Sequence, residues 1–421
     1  MKILTVIYNL EKGGTQRAAQ VFAEGYKELG HDSRILTLYG QGSRYDELMK
    51  KDFIIYTSLN ETSILKLLEW SPDIIHIHSH GPKYEDIMFL LDSLQVCNSK
   101  IVETNVFSTV SSWSNKIDLS FQLSTWCQWL YYLRGGENEK NVYVPYPVNT
   151  QSFSRVAKNI IDEFRIHYNI PLDAFVIGRI GQSFSGKWSY TIVELFNRVA
   201  LINDNVYLVL VNPPSNILSL AGESLYRDRI IHIESIYGDQ NLSIAYSSFD
   251  VVYMGVEQGE SFGMVIPEAI LCGTPVISLA TPWADNSQCE VTGNNIGGYI
   301  VNNVKSAVDI INKMISKDKK IQYDSKKGIA YIKEKYDYLN VAKMVVSYAH
   351  GSQVNNFDRL FTNNEILNIL SNAYDQPNFL TKLFLRLNLR QLTIYSSEYT
   401  SWKYLPKRIL NKILKRKNNE L

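Results

Sequence analysis

Two series of short apolar segments, rich in β-branched residues and separated by helical patterns, constrain the fold of this chain more than any other feature. In the first half the strand candidates are residues 3–8, 33–38, 53–56, 74–78, 100–103 and 142–144. In the second half they are residues 175–180, 206–211, 230–233, 251–254, 276–279 and 299–301. Strands that alternate with helices build parallel βαβ units and doubly wound sheets. The sequence therefore predicts an α/β protein with two such sheets.

A proline-rich break separates the two series. Pro145, Pro147 and Asn149 interrupt the pattern, which predicts an N-terminal Rossmann-like domain over residues 1–150. A second Rossmann-like domain is expected over residues 151–350. From residue 351 to 421 helical patterns continue without a convincing strand, which predicts an appended helical segment. The first helix is expected to begin at Thr15 as its cap and to end near Leu29.

Composition excludes several classes of protein. The formal net charge is +1, so no basic field points to nucleic acid. No window approaches about 20 continuous apolar residues, so no membrane-spanning helix is expected. The four cysteines are scattered, and free thiols are expected for Cys97, Cys127, Cys272 and Cys289. These features favour a cytoplasmic protein.

Three alternating histidines follow the fourth strand candidate. His76, His78 and His80 share one face at strand period, and spacing alone is compatible with metal ligation. Only Glu85 and Asp86 lie nearby as acidic partners, so core or cleft-lining histidines are expected and no metal is assigned.

The strongest local pattern runs from residue 259 to 277 and reads as strand end, glycine loop, helix, turn and strand. The loop consists of Gly259, Glu260, Ser261, Phe262 and Gly263, and Glu268 follows in the helix. Small residues at a helix start expose backbone N–H groups, where the helix dipole favours an anion. Carboxylates accept hydrogen bonds from hydroxyls, so the two glutamates suit a polyhydroxylated ligand joined to a phosphate. A capped helix with two solvated acids is the alternative.

This segment, a glutamate pair eight positions apart followed by P-E-A-x-x-C-G-T-P-V-I, resembles the retaining glycosyltransferases of family 4, which have the GT-B fold. Residues 72–78, Pro-Asp-Ile-Ile-His-Ile-His, are similar to a strand of that family. Gly13-Gly14 and Gly178-Arg179 stand where the family has a glycine loop and the start of its second domain. The resemblance covers roughly residues 1–350.

The resemblance implies a site for a nucleotide-sugar donor, used as a substrate without a cofactor or bound metal. Glu260 would hold hydroxyls of the donor sugar, Glu268 would bind the ribose, and Arg179 and Lys187 would neutralise the diphosphate. The implied donor-binding residues are Gly13, Gly14, Arg179, Lys187, Ser261, Phe262, Gly263 and Glu268. The family spaces the Arg and Lys about five apart, so residues 181–186 form a longer loop here.

A second departure concerns catalysis. The family has a histidine that touches the donor sugar, and Asn105 stands at that position. An amide can bind a hydroxyl but cannot act as an acid or base near neutral pH. We assign Glu260 and Asn105 as the catalytic pair of a glycosyltransferase that retains anomeric configuration. The alternative is a nucleotide-sugar-binding module without transfer activity, which the asparagine favours.

Other readings have less support. A dehydrogenase would need G-x-G-x-x-G after the first strand, where only Gly13-Gly14 occurs. A sugar phosphorylase or an epimerase with the GT-B fold is a further enzymatic alternative to a glycosyltransferase. The family resemblance implies an acceptor that is a glycan or a lipid-linked saccharide, in polysaccharide biosynthesis.

The C-terminal tail is a short amphipathic pattern. In residues 405–417, Leu405, Ile409, Ile413 and Leu414 share a face and six cations lie mainly elsewhere. Such a helix can rest on anionic lipid, which predicts peripheral contact with the inner face of the membrane. The alternative is a solvated, frayed terminus. Residues 379–389 add a second apolar pattern, which either extends that contact or packs on the body of the protein.

Overall fold

A computed structural model describes residues 1–79, 84–256, 258–282, 284–293, 295–351, 370 and 372–386. The chain divides into two compact units. Unit 1 consists of Met1–Thr150 and a segment that begins at Lys333, and unit 2 consists of Gln151–Ile332 and the described residues beyond 361.

Unit 1 contains a seven-stranded sheet in the order β3-β2-β1-β4-β5-β6-β7, and all of its paired strands are parallel. The strands are β1 (Lys2–Ile7), β2 (Asp32–Thr37), β3 (Ile54–Tyr56), β4 (Ile74–Ser79), β5 (Lys100–Asn105), β6 (Leu119–Gln122) and β7 (Asn141–Tyr143). Strand β6 is absent from the sequence prediction, whereas the other six are confirmed to within two residues at each end.

The helices of unit 1 cover both faces of this sheet. They are α1 (Gly14–Glu28), α2 (Tyr45–Lys50), α3 (Glu61–Trp70), α4 (Tyr84–Ser93), α5 (Thr125–Leu133) and, after the return of the chain, α14 (Tyr338–Ala349). One face buries a cluster that includes Phe22, Phe121 and Val341, and the other buries a cluster that includes Leu67, Ile77 and Leu90. Burial on both faces explains why the strands read as continuous apolar runs.

The start of α1 differs from the prediction. Gly13 is the N-cap residue and has no side-chain cap bond, so the expectation that Thr15 caps this helix was wrong. The Thr15 hydroxyl instead accepts a hydrogen bond from Tyr146 at 3.1 Å. A side chain used for packing inside the fold is not available to the backbone at the helix end.

Unit 2 contains a six-stranded parallel sheet in the order β10-β9-β8-β11-β12-β13. Its strands are β8 (Phe175–Ile180), β9 (Val206–Val211), β10 (Ile230–Ile233), β11 (Val251–Met254), β12 (Val276–Leu279) and β13 (Gly298–Val301). The described helices are α6 (Lys158–His167), α7 (Thr191–Ala200), α8 (Ser215–Gly222), α9 (Asp239–Ser248), α10 (Val265–Leu271), α11 (Ser287–Thr292), α12 (Val304–Ile315) and α15 (Phe379–Arg386). Helix α13 (Ser325–Tyr336) begins in unit 2 and ends in unit 1. The prediction of an α/β protein with two parallel sheets is confirmed.

The sequence predicts that the second domain extends to residue 350. In the structure, helix α14 packs against α1 and belongs to unit 1. Gly25 of α1 permits this contact, because a Cβ there would stand 3.0 Å from the Ala342 Cβ. The Tyr338 hydroxyl also donates to Glu28 at 2.5 Å. The chain therefore returns to its first unit after completing the second sheet.

Three further expectations concern thiols, membranes and the tail. All four cysteines are free thiols, as the sequence predicts. Three of them are buried. In the part of the chain that the structure describes, no helix combines the length and apolarity needed to cross a bilayer. The predicted amphipathic tail, residues 405–417, lies outside the described residues.

Candidate functional site

A glycine loop over residues 259–263 follows β11 and leads into α10. Gly259 has a φ of 67°, and a Cβ there would stand 1.7 Å from the carbonyl oxygen of Asp285. Gly263 has a φ of 84°, also in the left-handed region that favours glycine. The two glycines let the backbone turn tightly against a neighbouring loop, so they fix the positions of the residues between them.

Residues of that neighbouring segment, Thr281 and Asp285 in the loop and Gln288 at the start of α11, hold the glycine loop in place. Ser261 donates to the Asp285 carboxylate at 2.8 Å, and the Glu260 amide donates to the Gln288 side chain at 3.0 Å. Gln288 also donates to the Thr281 hydroxyl at 2.6 Å. Gln288 is fully buried and was missed by the sequence analysis, because nothing local in the sequence marks its partner 28 positions away.

Lys187 and Glu260 form an ion pair with 2.6 Å between Nζ and the Glu260 carboxylate. The Lys187 side chain is 37% exposed and the Glu260 side chain 11%, so the pair lies at the surface of unit 2 with its carboxylate mostly covered. The lengthened loop before Lys187 therefore does not carry this lysine away from the glycine loop. A cation and an acid side by side can serve a ligand that carries both negative charge and hydroxyl groups.

Arg179, at the end of β8, is buried. Its guanidinium donates to the carbonyl oxygens of Ile180 and Lys187, each at 2.7 Å, and lies 5.1 Å from the centre of the Trp188 ring. Burial lowers the pKa of Arg179, and the nearby charge of Glu260 opposes that shift. Arg179 therefore holds the backbone at Lys187 in place and adds a positive charge close to Glu260.

Glu268 lies in α10 and is almost fully buried. Its carboxylate accepts a hydrogen bond from the Tyr246 hydroxyl at 2.8 Å, a partner on α9 that the sequence analysis did not find. Helix α10 begins at Val265, has seven residues and has no side-chain cap bond at its start. Phe262 is also buried, which makes it an anchor of the loop.

Gly13, Gly14 and Asn105 belong to unit 1. Gly13 precedes α1, and a Cβ there would meet the Gln16 side chain at 2.1 Å, whereas a Cβ on Gly14 would meet no atom within 4 Å. The first turn of α1 holds no acidic residue. The Gln16 side chain therefore lies against Gly13 at this helix start, and the role of the two glycines toward a phosphate stays a prediction.

Asn105 ends β5, and its amide group is used inside unit 1. Its Nδ2 donates to the Thr109 carbonyl at 2.6 Å and to Glu103 at 3.1 Å, while its oxygen accepts from the Thr109 amide at 3.3 Å. The role of Asn105 toward a sugar stays a prediction, and its observed role is to hold the loop after β5.

Glu103 is the residue that the sequence analysis overlooked beside Asn105. Burial raises the pKa of the Glu103 carboxyl to about 7, although hydrogen bonds from Ser111, Trp113 and Ser120 act in the opposite direction. The only signal in the sequence was a glutamate within a predicted strand, two positions before Asn105. That signal does not show whether the glutamate side chain is buried.

The histidines of β4 are core residues. His76 contacts the Tyr26 hydroxyl at 2.8 Å and the Thr104 hydroxyl at 2.7 Å, and both His76 and His78 are buried. Burial lowers the pKa of His78 to about 3. Among the described residues, no group of three His, Cys, Asp or Glu side chains is placed to hold a metal ion, and His80 lies outside them.

Comparisons with known proteins bear on the fold and on the segment that contains the glycine loop. Residues 161–330 match a family model described as "Glycosyl transferases group 1". HepE from Anabaena, solved in complex with UDP and glucose, superimposes with a TM-score of 0.69 at 15% identity, covering 83% of this chain and 100% of HepE. A glycosyltransferase from Rickettsia africae gives a TM-score of 0.67 at 18% identity over 84% of this chain and 99% of its own.

A curated relative matches over a shorter stretch. The GtfA subunit of a UDP-N-acetylglucosamine–peptide N-acetylglucosaminyltransferase from Streptococcus agalactiae is 35% identical over 66 residues. The match covers 16% of this chain and spans only 12% of the length of that relative.

The fold is thus the GT-B fold of glycosyltransferases, with parallel sheets of seven and six strands. The match to the group 1 model, over residues 161–330, lies within unit 2.

Proposed function

We propose that this protein transfers a sugar from a UDP-sugar donor to a glycan or lipid-linked acceptor, with retention of anomeric configuration. The observation that carries the proposal is the ion pair between Lys187 and Glu260 of the glycine loop. Both residues lie within residues 161–330, which match the group 1 model. Solved neighbours that hold UDP or UDP-glucose support UDP as the first nucleotide to test.

The donor would be held by unit 2. The diphosphate carries negative charge that Lys187 can neutralise, and its approach would release Glu260 from the lysine. The freed carboxylate would then accept hydrogen bonds from the sugar hydroxyls. Arg179 would contribute by shaping the loop before Lys187 and by its charge.

Glu268 is proposed to bind the ribose hydroxyls. Its carboxylate accepts a hydrogen bond from Tyr246, which helps to fix the position of the group before a ligand binds. A carboxylate held in place loses less conformational entropy on binding than a mobile one. A role of Gly13 and Gly14 toward the donor phosphates is proposed from the family resemblance alone.

A binding module without transfer activity is the second candidate. Asn105 favours it, since an amide supplies no acid or base and this amide is bound inside unit 1. Release of UDP from a UDP-sugar, with and without acceptor, separates the two candidates: a module binds the donor without turnover.

Thermal unfolding in the presence of UDP-glucose, GDP-mannose and ADP-glucose tests the donor class. At a ligand concentration of about one hundred times Kd, we expect UDP-glucose to raise Tm by roughly 5–10 °C. A shift with GDP-mannose or ADP-glucose alone would contradict the choice of UDP, and no shift with any of the three would contradict the donor site.

Peripheral contact with the inner face of a membrane is also proposed. Its support is the basic amphipathic pattern of residues 405–417 together with helix α15, on which Phe379, Leu380 and Leu383 are exposed. The cytoplasmic location proposed from the sequence agrees with such contact.

A further inference from the structure

The main chain of Glu260 is bound on both sides by the start of helix α11. The Glu260 amide donates to the side-chain oxygen of Gln288 at 3.0 Å, and the Ser287 amide donates to the Glu260 carbonyl oxygen at 3.0 Å. Gly259, which precedes Glu260, has a φ of 67° and no side chain to limit its backbone. These two hydrogen bonds therefore hold a peptide that its glycine neighbour would otherwise leave free to turn.

The side-chain amide of Gln288 fits its surroundings in one orientation. Gln288 is fully buried, and its Nε2 donates to the Leu279 carbonyl oxygen at 3.0 Å and to the Thr281 hydroxyl at 2.6 Å. The Leu279 carbonyl can only accept and the Glu260 amide can only donate, so a reversed Gln288 side chain would lose both bonds. Gln288 is therefore a rigid link between the end of β12 and the glycine loop.

Lys187, the ion-pair partner of Glu260, is held by different contacts. Its carbonyl oxygen accepts from the Arg179 guanidinium at 2.7 Å, and its amide donates to the Phe184 carbonyl oxygen at 2.9 Å. Gln288 reaches the ion pair from the other side, through the main chain of the glycine loop. A change at Gln288 should therefore move the Glu260 carboxylate more than the Lys187 ammonium group.

We propose that Gln288 is a positioning residue that sets the direction of the Glu260 carboxylate, and that it thereby determines how tightly the sugar part of the donor is bound. The proposal deepens the proposed function and rests on it for the roles of Glu260 toward sugar hydroxyls and of Lys187 toward the diphosphate. A carboxylate must be aligned with the hydroxyls that donate to it. An ammonium group is a compact charge with rotatable donors and attracts a diphosphate from a wider range of directions.

The test is calorimetric titration of UDP and of UDP-glucose into wild type, Gln288→Met, Thr281→Val and Gln128→Met. Methionine has about the length of glutamine but lacks its amide, so Gln288→Met leaves the Glu260 amide without this acceptor. Thr281→Val keeps that acceptor and removes one of the partners that orient it. Gln128, on α5 of unit 1, is the matched control, because its side chain is also buried and also donates to a main-chain carbonyl.

We expect the Kd for UDP-glucose to rise at least about fivefold in Gln288→Met and at least about twofold in Thr281→Val, as for the loss of roughly one hydrogen bond or less. The Kd for UDP should change by less than about twofold in both variants, and Gln128→Met should match wild type with both ligands. A residue that only stabilises the fold would affect UDP and UDP-glucose alike. The ratio of the two Kd values therefore distinguishes positioning of Glu260 from stabilisation of the fold.

An unchanged ratio in Gln288→Met would overturn the proposal, and if that variant does not fold, an unchanged ratio in Thr281→Val would do so. Failure of the proposed function is a different result, in which wild type binds neither ligand. Gln288 is then judged on the ligand-free protein by NMR hydrogen exchange of the Glu260 amide with isotopically labelled glutamate. Exchange should be at least about tenfold faster in Gln288→Met than in wild type and Gln128→Met, and an equal rate would overturn the positioning role.

Discussion

At the scale of single residues, Glu103 shows how burial can place a titration near neutral pH. Its folded pKa of about 7 lies above the ordinary value of 4.5, because burial disfavours the charged form. The folded protein therefore binds more protons at this group than the unfolded chain between these two values. Stability is present at low pH and falls as pH rises through the window from about 4.5 to about 7.

We expect Glu103→Gln to remove this contribution to the pH dependence. The wild-type free energy of unfolding should lose up to about 3 kcal/mol more than that of the variant between pH 4.5 and pH 7.5. Urea unfolding at several pH values measures the difference, with the exposed Glu139→Gln as control. Parallel profiles for wild type and Glu103→Gln would show that the carboxyl does not titrate in this window.

Gly259 offers a second test at residue scale. Gly259→Ala combines an unfavourable φ with a Cβ 1.7 Å from a backbone oxygen, so we expect a loss of roughly 3 kcal/mol or more in thermal unfolding. Gly238→Ala is the matched control in unit 2, since its φ is 84° and a Cβ there meets no atom within 4 Å. Because its ψ of 146° adds to the backbone strain, this substitution should cost about 1–3 kcal/mol, still less than Gly259→Ala. Equal losses would mean that the contact with Asp285 is not what requires a glycine at residue 259.

The sequence could identify residues by type and spacing but not by their partners. Glu260 and Lys187 were chosen from the pattern, and the structure places them 2.6 Å apart. Gln288 and Tyr246 could not be found that way, because their bonds to the Glu260 amide and to Glu268 depend on how separate elements pack. Burial of Glu103 depends on the same packing.

At the scale of elements, buried strands were easier to predict than strands with polar side chains. Strands β9 and β11 are apolar on both faces and have the predicted bounds. Strand β6 was missed because it has only four residues, too few for the alternation of Ser120 and Gln122 with apolar residues to be recognised. These polar side chains lie on the face that carries Glu103, where Ser120 donates to its carboxylate and also accepts from Gln122.

Helix α15 provides the prediction at this scale. Phe379→Ser combined with Leu380→Ser should weaken co-sedimentation with anionic phospholipid vesicles by at least about tenfold, since each side chain would otherwise bury apolar surface in lipid. Leu220→Ser with Leu225→Ser, exposed positions at and after α8, is the control. Unchanged sedimentation of the α15 variant would rule out this helix as a membrane contact, and deletion of residues 407–421 tests the tail separately.

At the scale of the whole molecule, local patterns determine two α/β units but not which unit receives the last segment. Helix α14 fits α1 because Gly25 leaves room for Ala342 and Tyr338 reaches Glu28. Such a fit between positions more than 300 residues apart leaves no periodic signal in the sequence. The order of the strands follows from βαβ units, whereas the return of the chain requires the structure.

The central claim is that unit 2 binds a UDP-sugar through Glu268 and the glycine loop. Calorimetric titration of UDP-glucose into wild type and Glu268→Gln tests it most directly, because glutamine keeps the shape and can still accept the bond from Tyr246. We predict that Kd rises at least about tenfold in Glu268→Gln, as expected when a charged hydrogen bond is lost, and is unchanged in the exposed control Glu223→Gln. Equal Kd values for wild type and Glu268→Gln would contradict the account.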